Sequence, residues 1–487
     1  MTTALTTTFA NLGLIGAERR GARSGATIDV INPADGSVIT EIPRMDWDDV
    51  ADAFSAAKAA LKGWSGLEPQ VRAGYLLRFA NAIENRAAEI ARIDSIDNGS
   101  PLHEMSFDTR ITVAHIRYFA GLALEQQGRT VPTSPNRLLY SVRQPFGVVG
   151  RIGAFNHPFM FTFAKMAPAL IAGNTIITKP SEHTSLSALA VIDSIQEIFP
   201  PGVVNIVTGY GHEAGDAIVA HPEIRRLAFI GAAETGRAIQ RRAAEVAVKT
   251  VTLELGGKNP IVVFPDADLD KALDGAVGGM NFTWQGQSCG STSRLLLHES
   301  IHREFIDKLA GRMNSIRSGD PLSPDTDTGA IVTAQQLQKV LDYIEIGKAE
   351  GADLVAGGTR VTDGALAAGN FVRPTLFDNV RPDSRLAQEE IFGPILAAIP
   401  FRDYEDALRI ANDIPYGLTA SAYTTSLQTA HSFVRDVEAG FVWINEVSRH
   451  FLGTGFGGFK ESGVGREENF DELLSWSQNK NASIVFE

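Results

Sequence analysis

The chain contains one cysteine, Cys289, set in Gly286-Gln287-Ser288-Cys289-Gly290-Ser291. Small, polar, glycine-flanked neighbours leave a sulfur approachable, whereas structural cysteines usually sit among apolar residues. A thiolate there would be a nucleophile, although a lone cysteine is more often inert. Glu254 lies in Thr252-Leu253-Glu254-Leu255-Gly256-Gly257-Lys258, a carboxylate inside an apolar strand that ends in two glycines. Burial raises a carboxyl pKa towards neutrality and suits it to general-base work, unless a buried lysine or backbone amides pair with it. Asn156, in Phe155-Asn156-His157-Pro158, follows a short apolar strand, where a side-chain amide can donate to an oxyanion. Lys179-Pro180-Ser181-Glu182 ends a further strand. Ligands of doubly wound sheets sit at the carboxyl ends of strands, and an acid placed there accepts from ribose hydroxyls.

The elements that must position these residues change character along the chain. Asp48 to Trp64 and Val71 to Ile96 carry apolar residues at helical spacing, the second run ending at Asn98-Gly99, so the first third reads as helices. Beyond about residue 140, short β-branched runs alternate with helical stretches. They include Val148-Val149, Thr175-Ile176-Ile177, Val203 to Val207 and Leu227 to Ile230, then Val251 to Leu253, Ile261 to Phe264, Leu295 to Leu297, Ile395 to Phe401 and Phe441 to Ile444. Near-continuous apolar strands between helices predict parallel sheets covered on both faces, in two α/β halves joined near residue 250. The last run, Ala482 to Phe486, reads as a strand suited to pair with another edge, including one of another subunit.

Two glycine-containing turns invite a phosphate-binding reading. Gly209-Tyr210-Gly211 with Gly215 is spaced one residue too long for a dinucleotide fingerprint and lacks the acid expected roughly 20 residues on, so a plain strand-to-helix turn fits better. Phe229-Ile230-Gly231-Ala232-Ala233-Glu234-Thr235-Gly236, ahead of a helix from Arg237 to Val246, places free amides where a phosphate would sit. Asp266-Ala267-Asp268-Leu269-Asp270 imitates the start of a calcium loop, but Lys271 occupies the glycine position; acids near a helix N-terminus is the better reading. No Cys/His cluster has metal-ligand spacing, and no metal is expected.

Lys plus Arg number 44 against 57 Asp plus Glu, a net charge of −13, which argues against a nucleic-acid partner. A single cysteine forms no intrachain disulfide and leans towards a reducing, cytoplasmic setting. No apolar run reaches the ~18 residues of a membrane span; the richest, Phe159 to Ile177, is broken by Lys165, Pro168 and Asn174. Met1-Thr2-Thr3-Ala4 has no basic region ahead of an apolar block, so a signal peptide is not expected. The Thr-rich, acid-poor start before Arg19, Arg20 and Arg23 has some transit-peptide character.

Taken in order, these segments resemble the aldehyde dehydrogenase superfamily over nearly the whole chain. The resemblance rests on Asn32-Pro33-Ala34-Asp35-Gly36, Phe155-Asn156-His157-Pro158, Lys179-Pro180-Ser181-Glu182, Phe229-Ile230-Gly231, Leu253 to Lys258, Gly286-Gln287-Ser288-Cys289 with Arg294, Glu389-Glu390-Ile391-Phe392-Gly393-Pro394, and Phe456 to Gly463. The pattern begins near Leu14, which leaves little room for a transit peptide.

The resemblance implies two doubly wound, Rossmann-like domains and a small β oligomerisation element. Residues 1–122 and 146–253 would bind NAD, 254–465 would be catalytic, and 123–145 with 466–487 would assemble a homodimer or homotetramer. Cys289 matches the family's nucleophile, Glu254 its general base, and Asn156 with the Cys289 N–H its oxyanion donors. Lys179, Ser181 and Glu182 match the adenosine-ribose site, with Glu182 disfavouring NADP. Phe229, Gly231, Ala232 and Gly236 match the phosphate turn, and Leu255, Glu390 and Phe392 the nicotinamide side. By position, Phe159, Met160, Trp284, Gln287, Ser288 and Phe456 would line a pocket for an aliphatic or aromatic aldehyde. Arg449 and His450 would border it and bind a carboxylate in a semialdehyde, unless they are plain surface charges. The base at Glu254 argues against transfer of the acyl group to coenzyme A, and the intact set of Asn156, Glu254, Cys289 and Glu390 against a non-catalytic protein. Three departures from the family pattern stand out: Ala232 for a common Ser, His157 for an aromatic residue, and Phe459 for a common Tyr.

Overall fold

Two sheets carry the chain in the computed structural model, which describes residues 9–486. Met1-Thr2-Thr3-Ala4, read above for a leader, lies outside the described residues. The first sheet has eight strands. Its centre is parallel: Val204–Ile206, Thr175–Lys179, Val148–Ile152, Arg226–Gly231 and Thr250–Leu255, in that spatial order. Side chains alternate between two cores, as the period of two demands. Val149 and Ile176 enter one; Val148, Ile152 and Ile177 enter the other. The chain winds outwards in both directions from Val148–Ile152. The crevice at the carboxyl ends of Val148–Ile152 and Arg226–Gly231 is therefore a topological switch point.

The second sheet has seven strands. Thr375–Asp378, Ile395–Phe401, Arg294–His298, Pro260–Val263, Thr419–Tyr423 and Phe441–Ile444 run parallel, with Asp353–Ala356 antiparallel at one edge. Its switch point, between Pro260–Val263 and Thr419–Tyr423, is filled by protein. The Asp266 carboxylate there accepts from Thr424 Oγ1 and from the N–H groups of Thr425 and Ser426 at 2.8–2.9 Å. Asp268 caps the helix Leu269–Gly279 through the Lys271 N–H. Both acids are thus consumed by backbone and hydroxyl donors. The doubly wound α/β class expected from the alternating pattern is the class found.

Some local expectations fail. The described residues open with two hairpins rather than helices: Gly13–Ile15 with Glu18–Arg20, and Thr27–Ile31 with Val38–Pro43. Ile28 and Val30 are buried and their neighbours exposed, a half-buried strand, and Gly36 at φ +75° closes the second turn. The helix expected from Val71 to Ile96 is two, Pro69–Asn85 and Ala87–Asn98. The break at Arg86 keeps Ile83 and Ile90 in one core. The next helix after the switch-point strand Arg226–Gly231 begins at Ala233, not Arg237. The terminal strand, Ser477–Val485, pairs within its own chain, antiparallel to Arg137–Pro145, with Thr130–Val131 beyond. The second half also returns Gly463–Val464 to the first sheet, antiparallel to Thr250–Leu255, so the two sheets are stitched beside Glu254.

Candidate functional site

The turn that leaves the first sheet after Thr250–Leu255 enters the second at Pro260, and Cys289 precedes the neighbouring strand Arg294–His298. The carboxyl ends of one sheet thereby face the amino ends of the other. Two adjoining cavities occupy this interface, and a third continues over the first sheet's half alone. The innermost, about 140 Å³, is lined by Asn156, Gly231, Ala232, Glu254, Leu255, Cys289, Glu390 and Phe392. An outer cleft of about 800 Å³ contains Lys179, Ser181, Glu182, Phe229, Gly231 and Ala232. On the other side, about 500 Å³ is lined by Met160, Trp284, Ser288, Arg449, His450 and Phe456. Glu254 and Cys289 line both the innermost cavity and this last one. Residues separated by more than a hundred positions in sequence thus converge on one sulfur and one carboxyl group.

Neither oxygen of Glu254 has a hydrogen-bond partner, and the side chain is buried. Burial, followed by the charge of Glu467, pushes its pKa up to about 8. Burial and the facing Glu254 carboxyl push the Cys289 thiol well above its ordinary value. In the resting site at neutral pH the thiol is therefore protonated and the Glu254 carboxyl mostly so. The Cys289 loop is held from below. Asn259 Nδ2 donates to the carbonyls of Cys289 (2.7 Å) and Ser291 (3.0 Å), while its Oδ1 accepts from the Thr419 N–H at 3.0 Å. Arg294, buried, donates through Nε to the Lys258 carbonyl at 2.7 Å and fixes the turn between the sheets.

The outer cleft sits at the switch point. Lys179 Nζ lies 3.0 Å from Glu182 Oε2. Burial alone would raise the Glu182 carboxyl, but Lys179 outweighs it and holds the group below the usual range, hence ionised. The helix Ala233–Val246 starts at the cleft with no side-chain cap, so its first amides are open. Gly236 does not line the cleft; a Cβ there would collide with Leu255, so the glycine lets helix and strand approach. Gly209 and Tyr210 lead from the strand Val204–Ile206 into a π-helical turn, Gly211–Gly215, and Gly211 and Gly215 border the cleft. Nearer the sulfur, Glu390 Oε1 accepts from the Gly257 N–H at 2.9 Å, and a Cβ on Gly256 would occupy the carboxylate's place. Phe392, at φ +58°, stands edge-on to Phe155.

Two residues of the expected pocket are turned elsewhere. The short helix Pro158–Phe163 directs Phe159 into the core beside Phe163, while Met160 and Phe161 face the cavity. Gln287 is buried, donating to Gln285 Oε1 and accepting from the Val332 N–H. His450 is engaged by Glu468 at 3.0 Å. Arg449 is at the mouth, 3.5 Å from Glu446 and over the Phe451 ring.

Sequence reading missed several lining residues. Gln336 and Lys339 border the innermost cavity, and Gln336 Nε2 donates to the carbonyls of Ile391 and Phe392. Phe107, Asp108, Ile111 and His115 form one face of the helix Leu102–Gly121 and make a wall of the 500 Å³ cavity. Their helical spacing was a signal, but nothing in it distinguishes a cavity wall from a core. Lys165, visible only as an interruption of an apolar run, is buried against Glu467 (3.0 Å) and Glu468 (3.3 Å). Those carboxylates outweigh burial and keep the ammonium charged. Among the described residues, no group of three or more His, Cys, Asp or Glu side chains could hold a metal ion.

The two doubly wound α/β sheets place a cysteine and a carboxyl group between two clefts. The chain belongs to the aldehyde dehydrogenase family, whose model matches residues 20–482, and is thereby an oxidoreductase acting on aldehydes. It is 42% identical over 463 residues to aldehyde dehydrogenase tropH of Talaromyces stipitatus, covering 94% of this chain and 90% of that protein. The crystal structure of PnpE from Pseudomonas sp. WBC-3 superposes with a TM-score of 0.95 at 40% identity, covering 98% of each chain. PnpE has also been solved with nicotinamide adenine dinucleotide. A betaine aldehyde dehydrogenase from Staphylococcus aureus, a point mutant with NAD+ and a modified cysteine, matches at TM-score 0.96 and 32% identity, covering all of this chain and 98% of that one. No helix is long and apolar enough to cross a membrane among the described residues.

Proposed function

We propose that the protein oxidises an aliphatic or aromatic aldehyde to the carboxylic acid with NAD, through a thioester on Cys289 that Glu254-activated water hydrolyses. The observation that carries this reading is that Cys289 and Glu254 are shared by the two cavities, so one sulfur meets cofactor and substrate at once.

The residues present fit NAD. Lys179 and the ionised Glu182 suit an adenosine ribose, and the ionised carboxylate repels a 2′-phosphate. The uncapped start of Ala233–Val246 suits the pyrophosphate. Glu390, lodged where Gly256 has no side chain, and Phe392 suit the nicotinamide end. NAD, when bound, takes up the hydride that leaves the aldehyde carbon. PnpE and the betaine aldehyde dehydrogenase, both solved with this dinucleotide, support the assignment.

The remaining work belongs to the chain. Cys289 gives its proton to the ionised fraction of Glu254, which releases it to solvent; Sγ then attacks the carbonyl carbon, and the oxyanion is met by the Asn156 amide and the Cys289 N–H. With the hydride gone, the acyl group remains on sulfur. Glu254 then takes a proton from water, whose oxygen adds to the acyl carbon; the thiolate departs and the acid is released. A carboxyl group with a pKa of about 8 is basic enough for that step yet fractionally ionised near neutrality. The three-stranded sheet of Thr130–Val131, Arg137–Pro145 and Ser477–Val485 exposes Val131, Val142, Ile484 and Val485, a surface suited to assembling a homodimer or homotetramer.

The test is NADH formation from NAD and a panel of aliphatic, aromatic and carboxylate-bearing aldehydes, without coenzyme A and with Cys289→Ala as the blank. Turnover that vanishes in the blank supports the reading. Turnover only when coenzyme A is added contradicts hydrolysis, and turnover retained by Cys289→Ala contradicts the thioester.

A further inference from the structure

Three histidines face the 500 Å³ cavity, and they are not equivalent. His450 is tied to Glu468. His115 is buried beside Lys165 and Glu468, with no partner at Nδ1. His157 directly follows Asn156, which lines the reacting cavity, so of the three it is nearest in sequence to the site of attack. Its Nδ1 lies 2.7 Å from Asp108 Oδ2, a buried carboxylate on the helix Leu102–Gly121. The ring is clamped by Phe161 at 5.2 Å and Trp284 at 5.5 Å between centroids. With Nδ1 occupied and the ring held, only Nε2 remains for a ligand.

We propose, resting on the function above, that His157 fixed by Asp108 is a specificity-determining residue that selects aldehydes carrying a hydroxyl group on an aromatic ring. The aromatic part follows from the walls: Phe161, Trp284 and Phe456 offer flat faces. The hydroxyl part follows from the histidine. A neutral imidazole with its proton on Nδ1, facing Asp108, presents Nε2 as an acceptor and takes a hydrogen bond from O–H. The imidazolium presents Nε2–H and donates to the same oxygen. A hydroxyl is matched in both states. At His157 a carboxylate gains only from the imidazolium, and the other cations lining the cavity are already engaged, Lys165 by Glu467 and Glu468 and Arg449 by Glu446. An unsubstituted ring would strip water from Nε2 and give nothing back, and sites built to bind a hydroxyl reject such analogues strongly.

The experiment compares kcat/KM for benzaldehyde, its 2-, 3- and 4-hydroxy isomers and 4-carboxybenzaldehyde, using the full-length enzyme with NAD. The wild type is expected to prefer at least one hydroxy isomer over benzaldehyde by about tenfold or more. In His157→Phe that ratio falls to within about threefold of one, and in Asp108→Asn it falls part of the way. Binding of NAD, followed by protein fluorescence, verifies that the variants are folded. His157→Gln carries the same comparison if the phenylalanine variant does not fold, with a ratio reduced at least about threefold but above one. A wild type indifferent to the hydroxyl, a preference for the carboxylate, or a ratio unchanged by His157→Phe or His157→Gln overturns the proposal while leaving aldehyde oxidation intact. No turnover of any aldehyde by the wild type overturns the functional reading itself, and this proposal with it.

Discussion

Asn259 donates through its side-chain amide to the main-chain carbonyl of Cys289, at 2.7 Å, from the turn that follows the strand carrying Glu254. The candidate nucleophile and base are therefore set by one stretch of backbone, residues 254–259, and not by two independent loops. The same amide reaches Ser291, and its oxygen is held by Thr419, so the contact is fixed at both ends. Asn259→Ala is expected to lower kcat by roughly 10- to 100-fold with a much smaller change in the KM for NAD, because the sulfur and the Cys289 N–H lose their alignment while the cofactor cleft is untouched. Steady-state kinetics with each substrate varied, together with the rate of Cys289 alkylation, checks this; equal losses in kcat and in NAD affinity would point to general disruption.

The acidity of Glu254 predicts a pH dependence. At a pKa of about 8, the group is mostly protonated at pH 6.5 and mostly ionised at pH 9. Where hydrolysis of the thioester limits turnover, kcat should rise with pH, reach half its plateau near pH 8 and level off about one unit higher. Single-turnover deacylation, measured by quenched-flow, should show this limb in the wild type and lose it in Glu254→Gln.

The same shift bears on stability. An ordinary glutamate in the unfolded chain titrates near ~4.3, far below the folded value. Between those values the folded state holds the extra proton, so the stability linked to Glu254 is present at low pH and lost as pH rises through about 8. The limiting slope is about 1.4 kcal/mol per pH unit. Glu254→Gln, free of this loss, should gain in melting temperature relative to the wild type from pH 5 to pH 8. A constant difference across that range would contradict an ionising, buried Glu254.

Glu182 is expected to govern the choice of dinucleotide. Its carboxylate is held ionised by Lys179 at 3.0 Å at the outer cleft. Glu182→Gln removes the repulsion of a 2′-phosphate and frees Lys179 to meet it. The kcat/KM for NADP should rise at least about tenfold, with a fall for NAD. Parallel assays with the two dinucleotides read the ratio directly.

Much of the candidate site's placement could be read from the chain because its residues lie on short contiguous segments. Asn156, Lys179 to Glu182, Glu254 and Cys289 each sit beside a strand end, where backbone geometry alone puts them on the interface. What could not be read depends on how elements pack. The face of Leu102–Gly121 bearing Asp108 and His115 has the spacing of a core helix, and only the fold shows that a cavity lies against it. Phe159 and Met160 are neighbours in sequence, but one helical step separates core from cavity. Lys165 is an anomaly in an apolar run whose partners, Glu467 and Glu468, arrive three hundred residues later. The opening hairpins were hidden for a different reason: three- to six-residue strands carry too few alternations to stand out beside long helices.

Intact-mass and peptide mass spectrometry of Glu254→Gln, quenched after mixing with NAD and a turned-over aldehyde, tests the central claim most directly. The account predicts one acyl group per chain, mapped to the peptide containing Cys289 and absent from the double variant with Cys289→Ala. NADH formed in the first turnover without any adduct on Cys289, or an adduct that persists in the double variant, would contradict it.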